Sequence, residues 1–266
     1  MGMSDFSDFE EHFGIKNEMI ALHQEETMSW EDAKAKIPDL PRGWYELSRL
    51  SGADRIEFSR EYWLSQLPYS PHAHKAISKF FENINSVGVF ASQRLGTKEL
   101  QAELSYACQD HQAFYHGFPP LDASQVQAFH GPGGDNPFPA PLPEDYLAFL
   151  CVHNGFSKST DTGLIPLHDL QAHYQQLQEF LQTQEPIIIS DFPMNPKSLI
   201  PFYESFGLHA YQCFWSDWYP GPEMGNVYYS GIENCLSDVS DKEKLTDQMA
   251  FSNFLDWLLF YLEKIA

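Results

Sequence analysis

A histidine held beside a carboxylate is the simplest proton-transfer pair a chain can offer, because the carboxylate fixes the imidazole tautomer. This sequence has 11 histidines and 37 Asp+Glu from which to build one. His153 is the candidate with a defined position, since it closes an apolar face formed by Tyr146, Phe149 and Leu150. Paired with Asp161, Asp169 or Asp217, it would be the general base of an acid/base hydrolase. The competing reading is a histidine at a helix C-terminus, held there by the helix dipole. No GxSxG elbow, HExxH pair or GxxxxGK[ST] loop accompanies it, so no nucleophile, zinc pair or phosphate cradle is announced. The glycine-rich run 131–136 lacks a strand-turn-helix setting and reads as a turn.

Metal chemistry is equally poorly supplied. His72 and His74 lie two apart at a helix start and cannot share a face. His111, His116 and His130 could converge only through tertiary folding. The four cysteines, Cys108, Cys151, Cys213 and Cys235, form no CxxC pair and read as reduced thiols of a cytoplasmic protein. The expectation is therefore no catalytic residue, no metal and no cofactor.

The densest chemical feature is aromatic. Ten aromatics fall in the 28 positions from Phe202 to Tyr229, and strand alternation would bury only about half of each run. Within it, Trp215–Pro222 is turn-rich. Exposed, the loop would present Trp215, Asp217, Trp218 and Tyr219 as anchors for a protein partner. Folded back, the same residues would cap the core.

Elements that position these groups can be read from period and punctuation. Ile56, Trp63 and Leu67 predict a helix ended by Pro68, and Ala73, Ala76, Ile77, Phe80, Phe81 and Ile84 predict a second. Residues 87–90 and the alternating Leu104, Tyr106 and Cys108 predict a small hairpin, so residues 1–120 read as a largely helical region. Residues 130–143 are rich in Pro and Gly and form a seam, whose Phe138 and Leu142 should lie against a surface. Beyond it come a short helix opened by Pro143, Glu144 and Asp145 and stopped by Asn154-Gly155, then a strand at 164–167. A Gln-rich helix striped by Leu170, Tyr174, Leu177 and Leu181 follows, and Ile187–Ile189 reads as a buried strand. Three further strands and a final helix through Phe254, Leu255, Leu258, Leu259 and Leu262 complete an α+β pattern.

The ordered series of an LPxxY opening at Leu142, Phe149-Leu150, Asn154-Gly155, the Ile165-Pro166-Leu167 strand, Leu199–Phe202, Tyr211–Phe214, Val227–Tyr229 and the closing helix resembles the SUKH superfamily, the Smi/Knr cell-wall-regulator type also seen in bacterial immunity proteins. The resemblance covers residues 121–266 and implies a mostly antiparallel sheet flanked by helices. It further implies a non-enzymatic binding module, either an immunity protein that occludes a toxin or a regulatory adaptor for a client protein. The family's contact surface varies between members, so it assigns no residue here, and residues 1–120 have no counterpart in it.

Charge narrows the partner. With 16 Lys+Arg against 37 Asp+Glu the chain carries −21, a field that repels nucleic acid and anionic membranes; it either serves solubility or attracts a surface that is basic at the contact face. The acidic start, MGMSDFSDFE, has no apolar run that would serve as a signal peptide, and no stretch is apolar enough to span a bilayer.

Overall fold

The computed structural model describes residues 19–93, 99–109, 113–130 (backbone only at 128–130), 136–159, 161–189, 191–207 and 209–263. The expectations for the first 18 residues, for Gly131–Asp135, for His111 and for the His130 side chain fall outside them. Two compact units share the chain. One holds residues up to Leu121 together with Cys151–Thr160, and the other holds Asp122–Leu150 and Asp161–Ile265. The chain thus leaves the first unit, comes back for ten residues and leaves again.

In the first unit, strands β1 (Met19–Ala21), β2 (Ile84–Gln93), β3 (Leu100–Cys108), β4 (Phe114–Gly117) and β5 (Phe156–Lys158) pair in that order, each antiparallel to the next. The expected hairpin is therefore the centre of a five-stranded sheet. Four helices accompany it: α1 (Trp30–Lys36), α2 (Arg42–Leu47), α3 (Gly52–Gln66) and α4 (Pro71–Glu82). Serines at 29, 51 and 70 start three of them by accepting the backbone N–H of Asp32, Asp54 and Ala73. Helix α4 buries Ala73, Ala76, Ile77, Phe80 and Phe81, as its period predicts. Helix α3 differs, because Arg55, Ser59 and Trp63 form its buried face and Ile56 lies beside it. Two polar side chains on that face conceal it from a hydropathy reading. Arg55 is satisfied there by the carbonyls of Val87 at 2.5 Å and Leu50 at 2.8 Å.

The second unit opens with α5 (Ala123–His130), α6 (Glu144–Leu150), the short strand β6 (Gly163–Leu164) and α7 (Leu167–Gln182). A separate hairpin, β7 (Ile188–Ile189) with β8 (Phe192–Pro193), precedes β9 (Leu199–Ser205), β10 (Ala210–Trp215), β11 (Asn226–Ser230), β12 (Cys235–Leu236), β13 (Ala250–Phe251) and α8 (Phe254–Glu263). The main sheet runs β12-β11-β10-β9-β6, with β13 also on β11, and all its pairs are antiparallel. The fold is α+β, as the element pattern predicts.

Alternation does not leave half the aromatics in water, because both faces of β9 and β10 are covered. Leu177 and Leu181 of α7 pack on the face bearing Tyr211, Cys213, Trp215, Val227 and Tyr229. On the other face Phe202 and Phe214 stack at 4.2 Å and meet Tyr146 of α6 and Phe254 of α8. Ile187–Ile189 departs from its expected burial: Ile187 and Ile189 pack against the core, while Ile188 between them points out. The period of two applies, but only one side of this two-stranded ribbon is covered. In the seam, Phe138 and Leu142 are buried, and Phe138 meets the Tyr174 ring edge-on at 5.3 Å.

Asp145 is placed in α6 by its sequence but serves α8. Its carboxylate accepts the Leu255 N–H at 2.8 Å and the Tyr146 N–H at 2.9 Å, so a donor of the last helix's first turn finds its acceptor 110 residues away. Burial outweighs these bonds and lifts the carboxyl to about 6. Asp145→Ala should lower stability in denaturant by about 1–3 kcal/mol, because it orphans buried N–H groups. Hydrogen exchange should show the loss at Leu255 first, and unchanged protection there would refute the remote cap.

Candidate functional site

His153 does not end a helix. Helix α6 stops at Leu150, and residues 151–160 belong to the first unit, where the His153 ring lies against the backbone of β4. A Cβ on Gly117 would come within 2.4 Å of that ring, so position 117 tolerates no side chain. The ring joins a directional relay. Trp63 of α3 donates its indole N–H to the Tyr106 hydroxyl at 3.0 Å, and Tyr106 lies 2.8 Å from His153 Nε2. His153 Nδ1 lies 3.1 Å from the Phe118 carbonyl. A carbonyl only accepts, so Nδ1 carries the proton and Nε2 accepts from Tyr106. Every proton in the chain of bonds is thereby assigned.

The electrostatics agree with that assignment. Burial pushes the His153 imidazole down to about 3, against a partial opposing effect from the Phe118 carbonyl. Burial likewise raises the Tyr106 phenol. A neutral imidazole whose nitrogens are engaged in this way is not poised to take a proton from a substrate near neutral pH. The expected carboxylates all belong to the second unit. Asp161 accepts from the hydroxyls of Tyr203 at 2.7 Å and Tyr261 at 3.1 Å in the second unit, Asp169 lies beside His168, and Asp217 is exposed.

Trp63, Tyr106 and His153 form the floor of a cavity of about 220 Å³. Trp44, Leu104 and Val152 wall it, and Gly43 and the exposed Phe58 stand where it meets solvent. Its lining carries no Asp, Glu, Lys or Arg. This cavity and its aromatic floor are the candidate site. Sequence reading missed it because its residues come from α2, α3, β3 and the returning segment, and no local spacing links them.

Another constellation escaped the sequence for the same reason. Ser92 on β2, Glu103 on β3, His116 on β4 and Ser157 on β5 form a polar line across four strands. The Ser92 hydroxyl donates to Glu103. His116 Nδ1 is 3.0 Å from the same carboxylate, and its Nε2 is 2.7 Å from Ser157 Oγ. Serine, histidine and carboxylate are thus in the order of an acyl-transfer triad. Such chemistry also needs a serine oxygen that a carbonyl carbon can reach. Ser157 sits within a strand with all three partners buried, so the line acts as a clamp between strands.

The aromatic loop divides between its two readings. Trp215 is buried, and Trp218 packs on the core with its ring against Gly225, where a Cβ would fall 2.4 Å away. Asp217 and Tyr219 are exposed. His72 is exposed and His74 meets Tyr69 edge-on. No group of three or more His, Cys, Asp or Glu among the described residues could hold a metal, and Cys108, Cys151, Cys213 and Cys235 form no disulfide.

The relay carries a pH signature. Unfolded, His153 binds a proton near pH 6.5; folded, only near 3. Between those values the unfolded state holds the extra proton, so this residue's contribution is complete above pH 6.5 and falls as the pH drops towards 3. The stability gap between wild type and His153→Gln should be wide at pH 7.5 and narrower at pH 5, and an equal gap at both would overturn the neutral assignment. Gly117→Ala should cost about 1–3 kcal/mol in the same assay by overpacking the ring. Comparison of the chain with protein-family models, with curated proteins and with solved structures finds no match.

Proposed function

We propose that the chain is a non-enzymatic protein-binding module of the SUKH kind, acting as an immunity protein or regulatory adaptor on a partner that is basic at its contact face. One observation carries this reading. At one end of the second unit's sheet, Ile188, Phe192, Phe206 and Ile232 stand between 59% and 80% exposed. Strand register puts the turns after β9 and β11 at the same end, where Gly231 N–H bonds the His209 carbonyl. The Asn234 amide reaches the Glu185 carbonyl at 2.9 Å, which ties the Ile232 turn to the chain entering the β7–β8 hairpin. Isolated exposed apolar residues need no explanation, but several on adjoining turns are the usual core of a contact surface.

The rim is acidic. Glu185, Asp191 and Glu233 are exposed sequence neighbours of these apolar tips. Over the whole unit, 4 Lys+Arg stand against 19 Asp+Glu, net −15. An apolar centre in a carboxylate rim suits a partner with apolar knobs among Lys and Arg, and the field steers its approach. Asp217 and Tyr219 contribute a smaller exposed surface at the opposite end of β10, whereas Trp215 and Trp218 contribute to stability.

The test is affinity capture of a partner by the full chain, repeated with Phe192→Asp plus Ile232→Asp. Both positions are exposed, so the variant should unfold as the wild type does and lose the captured protein. Trp218→Ala should do the reverse, lowering the unfolding midpoint by the equivalent of about 2 kcal/mol or more and leaving capture intact. A captured acidic partner, or capture indifferent to the double substitution, would sink the proposal.

A further inference from the structure

We infer that the cavity of the first unit binds a small uncharged molecule, a largely apolar fused-ring compound with one hydrogen-bonding group, and that Ser59 reads that group. Size comes first. A dry apolar cavity of about 150 Å³ accommodates a single benzene ring. The cavity here, at about 220 Å³, has room for a second fused ring.

The lining sets the polarity. Trp44, Trp63, Tyr62 and Phe58 offer aromatic surface, and no charged side chain lies among the lining residues to pair an ion. His153 at the floor is held neutral and Tyr106 is committed to the relay, so neither attracts a charge. A charged ligand would lose its hydration with no compensating partner.

Ser59 supplies the specificity. It lines the cavity, is 3% exposed, and its hydroxyl has no hydrogen-bond partner. Buried hydroxyls are ordinarily paired, and an orphan one costs stability until something meets it. A hydroxyl, carbonyl or ring N–H on the ligand would do so. Four residues on, Trp63 forms part of the floor, so a single turn of α3 provides both aromatic surface and the polar contact.

The experiment titrates the full chain with 2-naphthol and with naphthalene, two probes of one shape that differ by a hydroxyl, followed by ligand-observed NMR. Wild type should bind 2-naphthol at one site with Kd on the order of 0.1 mM, and naphthalene more weakly. Ser59→Ala should weaken 2-naphthol about five- to tenfold and leave naphthalene within about twofold. Gly43→Leu should abolish both, because Gly43 lines the cavity and a Cβ there meets nothing within 4 Å to disturb the fold. Absence of binding by wild type would overturn the inference. So would binding unchanged in Gly43→Leu, or equal weakening of both probes by Ser59→Ala.

Discussion

An indole N–H, a phenol and an imidazole, all removed from water, must find partners among themselves, and the first unit is arranged around that requirement. Trp63, Tyr106 and His153 come from a helix, a strand and a loop, and each has one acceptable orientation once the Phe118 carbonyl fixes the His153 proton. Losing any link leaves a buried donor or acceptor unpaired, which costs more than the bond itself contributes. The relay therefore specifies how α3, β3 and the segment after α6 meet, more sharply than apolar packing alone would. Ring contacts surround it: Trp63 alone meets Phe80, Phe81, Tyr106, His153 and Phe156.

The same economy governs carboxylates in a chain of net charge −21. Most face solvent, but a few are drawn inward as acceptors. Asp145 takes the N–H of a distant helix start, Asp161 gathers two tyrosine hydroxyls, and Glu103 receives Ser92 and faces His116. Each meets inward-facing polar groups, backbone N–H at Asp145 and side chains at Asp161 and Glu103, so these residues hold structure although their types suggest catalysis. No helix among the described residues is long and apolar enough to cross a membrane.

Much of the fold was legible because it rests on local period. The buried face of α4, the leucine stripe of α7 and the apolar α8 follow from spacing alone. Legibility failed where a tertiary partner overrode the local signal. His153 reads as the end of a helical face, yet the helix stops three residues earlier and the chain changes units. Arg55 and Ser59 carry no apolar signal, yet both are buried, one paired to carbonyls and one lining a cavity. Ile188 reads as core and projects outward, because a two-stranded ribbon offers only one covered side. The cavity itself could not be read at all, since its walls lie on elements up to about a hundred residues apart in sequence.

The return of residues 151–160 to the first unit bears on how the chain can be made. As it leaves the ribosome, β1 to β4 are complete long before β5 and His153 emerge, with residues 122–150 synthesised in between. Until then β4 has an open edge, and the Trp63–Tyr106 pair lacks its terminal acceptor. Contacts closed over such separations form slowly, and an unpaired edge invites pairing with other chains. A fragment cut at residue 120, where the family resemblance begins, would therefore keep the sheet's centre and lose its closure. Dissection of this protein has to follow the contacts and carry residues 151–160 with the N-terminal part.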